Sequence, residues 1–272
     1  MSRASPGIFA KRGAGFPGGK EHKWDGAATG DLTAGRWKPT IEPNSLRGAA
    51  LSFAEDIERK ALPIRQAILS HPFITGVGDG TLPAAKFKFY VMQDYVYLID
   101  YARVLALASA RAPDLETMSW FAGLLDETLN IEMDLHRSFC AEFGVTRQEL
   151  ETTQPAPTTT AYTSFLLKEA YQGSFGELVA SLLPCQWGYW EIGDHLAKRG
   201  EPKHAPLYSR WIQMYSSTEF AELARAVRSL ADRMAEGAGP GQAAAMGEAY
   251  LTSLRFEYRF WDMAFNLEAW GV

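Results

Sequence analysis

From Leu51 onward the apolar residues recur at helical spacing, and no segment alternates convincingly with period two. No Asn-Gly or Asp-Gly pair sits between β-branched runs to close a hairpin. A chain with this pattern buries its apolar faces helix on helix. The expected fold class is therefore all-α, a bundle of about seven to nine helices without an internal repeat.

Turn and cap signals divide the bundle. Ser52 to Ser70 reads as a helix bent at Pro63 and ended by His71-Pro72-Phe73. The glycine-spaced stretch Gly76 to Pro83 reads as a turn, with Pro83 as first residue of the next helix. It has no Gly-Lys-Ser/Thr and no preceding strand, so a phosphate cradle is disfavoured. Helices are then expected over Pro83–Arg111 and Pro113–Phe143, the second closed by Gly144. Thr146 to Glu149 is a capping box, Glu151 to Thr160 a Thr/Pro loop, and Tyr162–Tyr171 helical. A second capping box, Ser174 to Glu177, opens a helix ending near Gly200. Helices over Pro206–Tyr215, from Ser217 or Thr218 to Ala235, and from Gln242 to about Ala269 complete the set.

Residues 1–48 differ from this body, 49–272. More than a third of the glycines fall there, with scattered Lys and Arg and no apolar period. They read as a flexible or irregular extension in which Phe16, Trp24 and Trp37 are possible anchors. The net charge is −5, and no basic stripe interleaves with aromatics, so nucleic acid is not an expected partner. The longest apolar run, around Leu178 to Trp190, is too short to cross a bilayer, and no signal-type segment opens the chain. A soluble cytoplasmic protein with Cys140 and Cys185 as free thiols is expected.

The run Ser181 to Gly193 places Cys185, Tyr189, Trp187 and Trp190 in an apolar helix. Cys185 and Tyr189 are four apart and share a face, and Pro184 bends the helix beside the thiol. A lone cysteine in such a helix is usually inert core. Three other stripes bear on it. Tyr90, Asp94, Tyr97 and Tyr101 share one face, and a buried Asp there needs a partner or a ligand. Glu257 looks inward with Phe260, Trp261 and Ala264, where desolvation raises a carboxyl pKa and makes a proton donor; the bland alternative is a salt bridge to an Arg. Tyr208, Trp211, Ile212 and Tyr215 form an aromatic stripe that is core alone and a stacking wall beside a pocket.

Glu132-x-x-x-His136 and Glu191-x-x-x-His195 each set a carboxylate and an imidazole one turn apart. Paired across a bundle they suggest two irons, but the usual bundle motif is Glu-x-x-His, and hydrogen bonding between helices is the simpler reading. No metal and no cofactor are expected.

Together these residues resemble the TenA/thiaminase II family, in its cysteine-containing branch. The resemblance lies in His71-Pro72-Phe73 with Gly78 to Pro83, Phe89-Tyr90, Gln93-Asp94-Tyr95 with Tyr97-Leu98, Leu183-Pro184-Cys185 with Trp187, Tyr189 and Ile192-Gly193, Trp211-Ile212 with Tyr215, and Glu257 with Phe260-Trp261 and Met263-Ala264. It runs in order from about residue 50 to the C-terminus. It implies a heme-oxygenase-like helical bundle without heme, assembled as a homotetramer. It implies hydrolysis of 4-amino-5-aminomethyl-2-methylpyrimidine with release of ammonia, cleavage of thiamine, or both, in thiamine salvage. By that pattern Cys185 is the nucleophile, Glu257 the acid, and Asp94 binds the amino-pyrimidine edge and helps position or activate the thiol. Tyr97, Tyr162, Tyr189 and Tyr215 line the pocket. The readings set against it are a non-heme di-iron oxidase on the same bundle and a non-catalytic pyrimidine-binding regulator.

Overall fold

A computed structural model describes residues 51–271. The expected extension, with its anchors Phe16, Trp24 and Trp37, lies outside the described residues. Within them the chain forms α-helices joined by short turns and contains no strand.

The first three helices are short: α1 Phe53–Lys60, α2 Leu62–Leu69 and α3 Pro72–Asp79. Ser52 caps α1 in a full capping box with Glu55, and acidic residues lead its first turn while Arg59 and Lys60 close its last. The expected bend at Pro63 is a break at Ala61, after which Pro63 sits in the first turn of α2, where its missing N–H costs nothing. The expected turn over Gly76–Pro83 is corrected. The preceding helix does end before His71, at Leu69, but His71 also caps a new one, its Nδ1 accepting from the Phe73 N–H at 3.1 Å. The chain then stays helical to Asp79 and ends at Gly80, whose φ of 73° needs no Cβ.

Long helices follow: α4 Ala84–Arg111, for which Pro83 is the N-cap rather than the first residue, and, later, α9 Phe175–Arg199. Between them lie α5 Leu115–Glu127, α6 Met133–Glu142, α7 Arg147–Glu151 and α8 Pro157–Gln172. The single helix expected over Pro113–Phe143 is thus two, joined by a π-helical turn, Thr128–Glu132, in which the Met133 N–H reaches back to the Thr128 carbonyl. The expected Thr/Pro loop is shorter, because α8 begins at Pro157 as N1. After α9 come α10 Pro206–Tyr215, α11 Thr218–Glu236 and α12 Pro240–Asn266. The helices among the described residues outnumber the expected seven to nine because Ser52–Ser70 breaks at Ala61, the π-turn splits Pro113–Phe143, and α3 forms where a turn was expected.

Helix α9 is the hub: α12, α11, α10 and α8 all pack on it, while α4 is flanked by α5, α6, α8 and α12. It runs through Pro184 without interruption. Gly193 permits its tightest contact, since a Cβ there would lie 2.5 Å from the Tyr215 carbonyl carbon of α10. No helix among the described residues is long and apolar enough to cross a membrane.

Candidate active site

The close approach at Gly193 brings Tyr215 against Tyr189, ring centroids 4.8 Å apart. Trp211, one turn before Tyr215 on α10, lies 6.1 Å from the same ring. This makes one aromatic wall. The opposite wall comes from α4 and α8, where Tyr97 and Tyr162 approach to 5.2 Å and Phe256 stacks on Tyr162 at 5.3 Å. Trp261 and Phe260 of α12 close the side between them, against Tyr90 and Tyr97 respectively. Such edge-on and offset contacts hold the rings in place.

Cys185 lies among these rings. Tyr97, Tyr162, Tyr189, Tyr215, Asp94 and Glu257 are all buried, and the thiol is the member of the set that keeps some exposure. Its pKa is pushed well up, first by burial and then by the charge of Glu257, with Glu132 and Asp94 adding to it. Tyr97 acts in the other direction as a donor to sulfur, and its hydroxyl is buried with no other hydrogen-bond partner. The free site therefore holds a thiol, not a thiolate.

Glu257 is the second chemical group. It is buried, and among the described residues no Arg meets it; its hydrogen-bond partner is Tyr162 instead. Burial pushes its carboxyl up to about 8 and the charge of Asp94 contributes, while the hydrogen bond that Tyr162 can offer the ionised form counts the other way. Tyr162 and Glu257 Oε1 are 2.6 Å apart. The Tyr162 oxygen is also 2.9 Å from Ser253 Oγ, and Ser253 donates to the Ser181 carbonyl at 2.6 Å.

Asp94 is held differently. His136 Nε2 lies 2.6 Å from Asp94 Oδ2, and the Tyr90 hydroxyl donates to the same oxygen at 3.3 Å. The His136 Nδ1 faces the Glu132 carbonyl at 2.9 Å, so both ring nitrogens are engaged and the imidazole is fixed in place. Burial depresses His136, but its contact with Asp94 outweighs it and the net shift is upward. With both ring nitrogens facing acceptors, an imidazolium covers the Asp94 charge.

The four candidate metal ligands do not converge. Glu191 is bound by Arg65, whose Nε donates at 3.0 Å with a second bond alongside. His136 is spent on Asp94. Among the described residues no group of three or more His, Cys, Asp or Glu is placed to hold a metal ion. Glu132 itself, at the end of the π-turn, is raised to about 7 by burial, against the pull of His136. The other thiol, Cys140, is buried and pushed up to about 11.

All seven predicted site residues thus meet in one place. Sequence reasoning left two further residues of that place without a role there. His136 stood only as a metal candidate or a hydrogen-bonding residue of undetermined partner. Ser253 was not singled out, although it is one turn before Glu257 and on its face. A surface cleft of about 410 Å³ lies elsewhere, lined by Gly80, Leu82, Phe143, Tyr208 and Arg210, and none of the predicted site residues borders it.

Known proteins share this arrangement of helices. The model of the TENA/THI-4/PQQC family matches residues 58–267. The chain is 46% identical over 221 residues to an aminopyrimidine aminohydrolase of Halalkalibacterium halodurans, covering 81% of this chain and 99% of that protein. Its structure is similar to that of a TenA homologue from P. horikoshii, with a TM-score of 0.74 and 30% identity over 79% of this chain and 99% of the other. A Shewanella denitrificans domain with a heme oxygenase-like fold superposes with a TM-score of 0.63 at 19% identity, over 78% of this chain and 91% of that one, which bears on the fold alone.

Proposed function

The chain belongs to the TENA/THI-4/PQQC family, has a heme oxygenase-like helical fold, and from that premise we propose that it is an aminopyrimidine aminohydrolase. It converts 4-amino-5-aminomethyl-2-methylpyrimidine and water into the hydroxymethylpyrimidine and ammonia for thiamine salvage, and thiamine is the second substrate to test. The observation that carries this reading is the pairing of a thiol with a raised carboxylic acid between two aromatic walls. A neutral, flat, weakly basic ring suits that setting, where an ion would pay for desolvation.

The chemistry follows from the protonation states. Glu257 gives its proton to a ring nitrogen, which makes the neighbouring ring carbon electrophilic. The Cys185 sulfur bonds to that carbon, the C=N pair moves to nitrogen, and the carboxylate takes the thiol proton. The adduct then returns its N–H electrons toward the exocyclic carbon. The C–N bond to the amine breaks, and the amine leaves as ammonia with the proton that Glu257 hands over. Water adds to the exposed methylene carbon. The proton that water releases goes to Glu257; as the C–S bond breaks, Glu257 passes it to sulfur and takes back the ring N–H proton, so that ring, thiol and acid are all restored. Atoms balance as one water in and one ammonia out. Asp94, with one oxygen held by His136 and Tyr90, turns the other to the amino-pyrimidine edge. Tyr97 supplies the hydrogen bond that eases thiolate formation.

A homotetramer in the cytoplasm accompanies this proposal. Two unpaired thiols suit a reducing compartment, and exposed Leu115, Met118 and Tyr171 offer apolar surface for assembly. The test is ammonia release by wild type and Cys185→Ala, with thiamine in parallel. Turnover by wild type and a fall of roughly 10³-fold or more in the variant are expected. No turnover of either substrate by wild type overturns the reading.

A further inference from the structure

The carboxyl of Glu257 stands at the end of a buried chain of oxygens whose hydrogens can be counted. The chain runs from Glu257 Oε1 to the Tyr162 hydroxyl (2.6 Å), to Ser253 Oγ (2.9 Å), and to the Ser181 carbonyl (2.6 Å). Each separation is hydrogen-bond length, so three hydrogens are needed. Ser253 and Tyr162 own one each, and a carbonyl owns none. Because the Ser181 oxygen can only accept, Ser253 must give it its hydrogen. Tyr162 must then give its own to Ser253. That leaves the Tyr162–Glu257 contact without a hydrogen unless Glu257 carries it. An ionised Glu257 would leave two buried oxygens facing each other with no proton between them.

We infer that Ser253, through Tyr162, is a positioning residue that keeps Glu257 in its acid form in the free enzyme. The inference rests on the functional reading above for its catalytic meaning, but the protonation claim stands on the geometry alone. Ser253 and Tyr162 are almost wholly buried, so no solvent can supply the missing hydrogen. Other groups around Glu257 do not compete for the role. On α4 these are Asp94, Tyr97 and Tyr101, and on α9 Cys185 and Tyr189. Asp94 is the carboxylate among them, and its charge is covered by His136 from α6.

Removing the Ser253 hydroxyl reverses the chain. In Ser253→Ala, Tyr162 has no acceptor behind it and turns its hydrogen to Glu257, which favours the carboxylate. The titration of Glu257 is read directly by difference infrared spectroscopy, wild type minus Glu257→Gln, without any substrate. A protonated carboxyl band at pH 7 in wild type is expected. Its midpoint should fall by roughly one unit in Ser253→Ala. The basic limb of the kcat/KM profile should move down by the same amount, which a merely structural loss would not produce. An ionised Glu257 at pH 7 in wild type overturns the inference without any need for the variant to fold. An unmoved midpoint in a folded Ser253→Ala also overturns it. If the spectra behave as expected but no aminopyrimidine turns over, the hydrogen-bond chain stands and the functional reading falls.

Discussion

The two halves of α9 handle polar groups in opposite ways. Its second half neutralises them: Glu191 is gripped by Arg65, whose side chain is 19% exposed against 24% for Glu191, and Asp194 pairs with Lys198 one turn on. Its first half leaves them uncompensated. Cys185 sits next to a raised carboxylic acid, the Tyr97 hydroxyl has only the Cys185 sulfur to donate to, and Gln186 gives its amide N–H to Tyr101 while its oxygen finds no partner among the described residues. One helix thus carries a stabilised end and a costly end. Costs of this kind persist where chemistry needs them, and the paired end helps to offset them.

If that division is right, substitutions at the costly end should remove activity while sparing stability. The largest effect is Cys185→Ala, already set as the first assay, with a melting temperature close to that of wild type. Glu257→Gln comes next, with kcat/KM lower by about 10²- to 10⁴-fold. Its stability should depend on pH in the opposite way to a salt-bridged acid. The folded-state pKa of about 8 lies above the ordinary 4.5. Below 4.5 both states are protonated. As pH rises from there through 8, the unfolded chain loses its proton first, so wild type loses stability. The Gln variant has no such proton, and its melting temperature should fall less over that window. Thermal scans at pH 4.5, 6, 7 and 8.5 separate the two slopes, and parallel slopes would show that Glu257 is not held neutral.

The sequence made the costly end legible because its members lie at i, i+4 or i+7 along single helices. Cys185 with Tyr189, and Asp94 with Tyr90, Tyr97 and Tyr101, share a face whatever the helices do around them. The all-α class was legible for the same reason. Pairings between helices were not. Asp94 and His136 are 42 residues apart, and only the packing of α4 on α6 brings them to 2.6 Å. Arg65 and Glu191, 126 apart, meet on the same terms. Local backbone choices were also hidden. The glycines of Pro72–Asp79 argue against a helix by propensity, but the His71 cap and burial of Phe73, Ile74 and Val77 outweigh that cost. The π-turn at Thr128–Glu132 depends on one extra residue in a hydrogen-bonded ring, which periodicity does not register.

His136 lies between the two regimes, since it is a paired charge that serves the site. His136→Gln keeps a donor near Asp94 but not the imidazole's rigid two-point hold. A loss of about 10- to 100-fold in kcat/KM is expected from the misplaced carboxylate. It should fall mainly on KM if Asp94 binds the amino edge, whereas a change confined to kcat would give Asp94 a part in proton transfer instead.

The smallest effect tests the stabilised end. Glu191→Gln leaves the Arg65 guanidinium facing a neutral amide. Because both side chains are mostly but not wholly buried, the loss should be about 1 kcal/mol, between the values for surface and interior pairs. For a domain of this size that is about 3 °C in melting temperature. Activity at 25 °C should stay within about twofold of wild type, because Glu191 takes no part in the hydrogen bonds around Cys185 and Glu257. Salt sharpens the reading: screening weakens the wild-type pair, so the gap between the two melting curves should narrow in high salt. A fall in kcat without loss of stability would mean that the two ends of α9 are coupled, and that the division drawn between them is wrong.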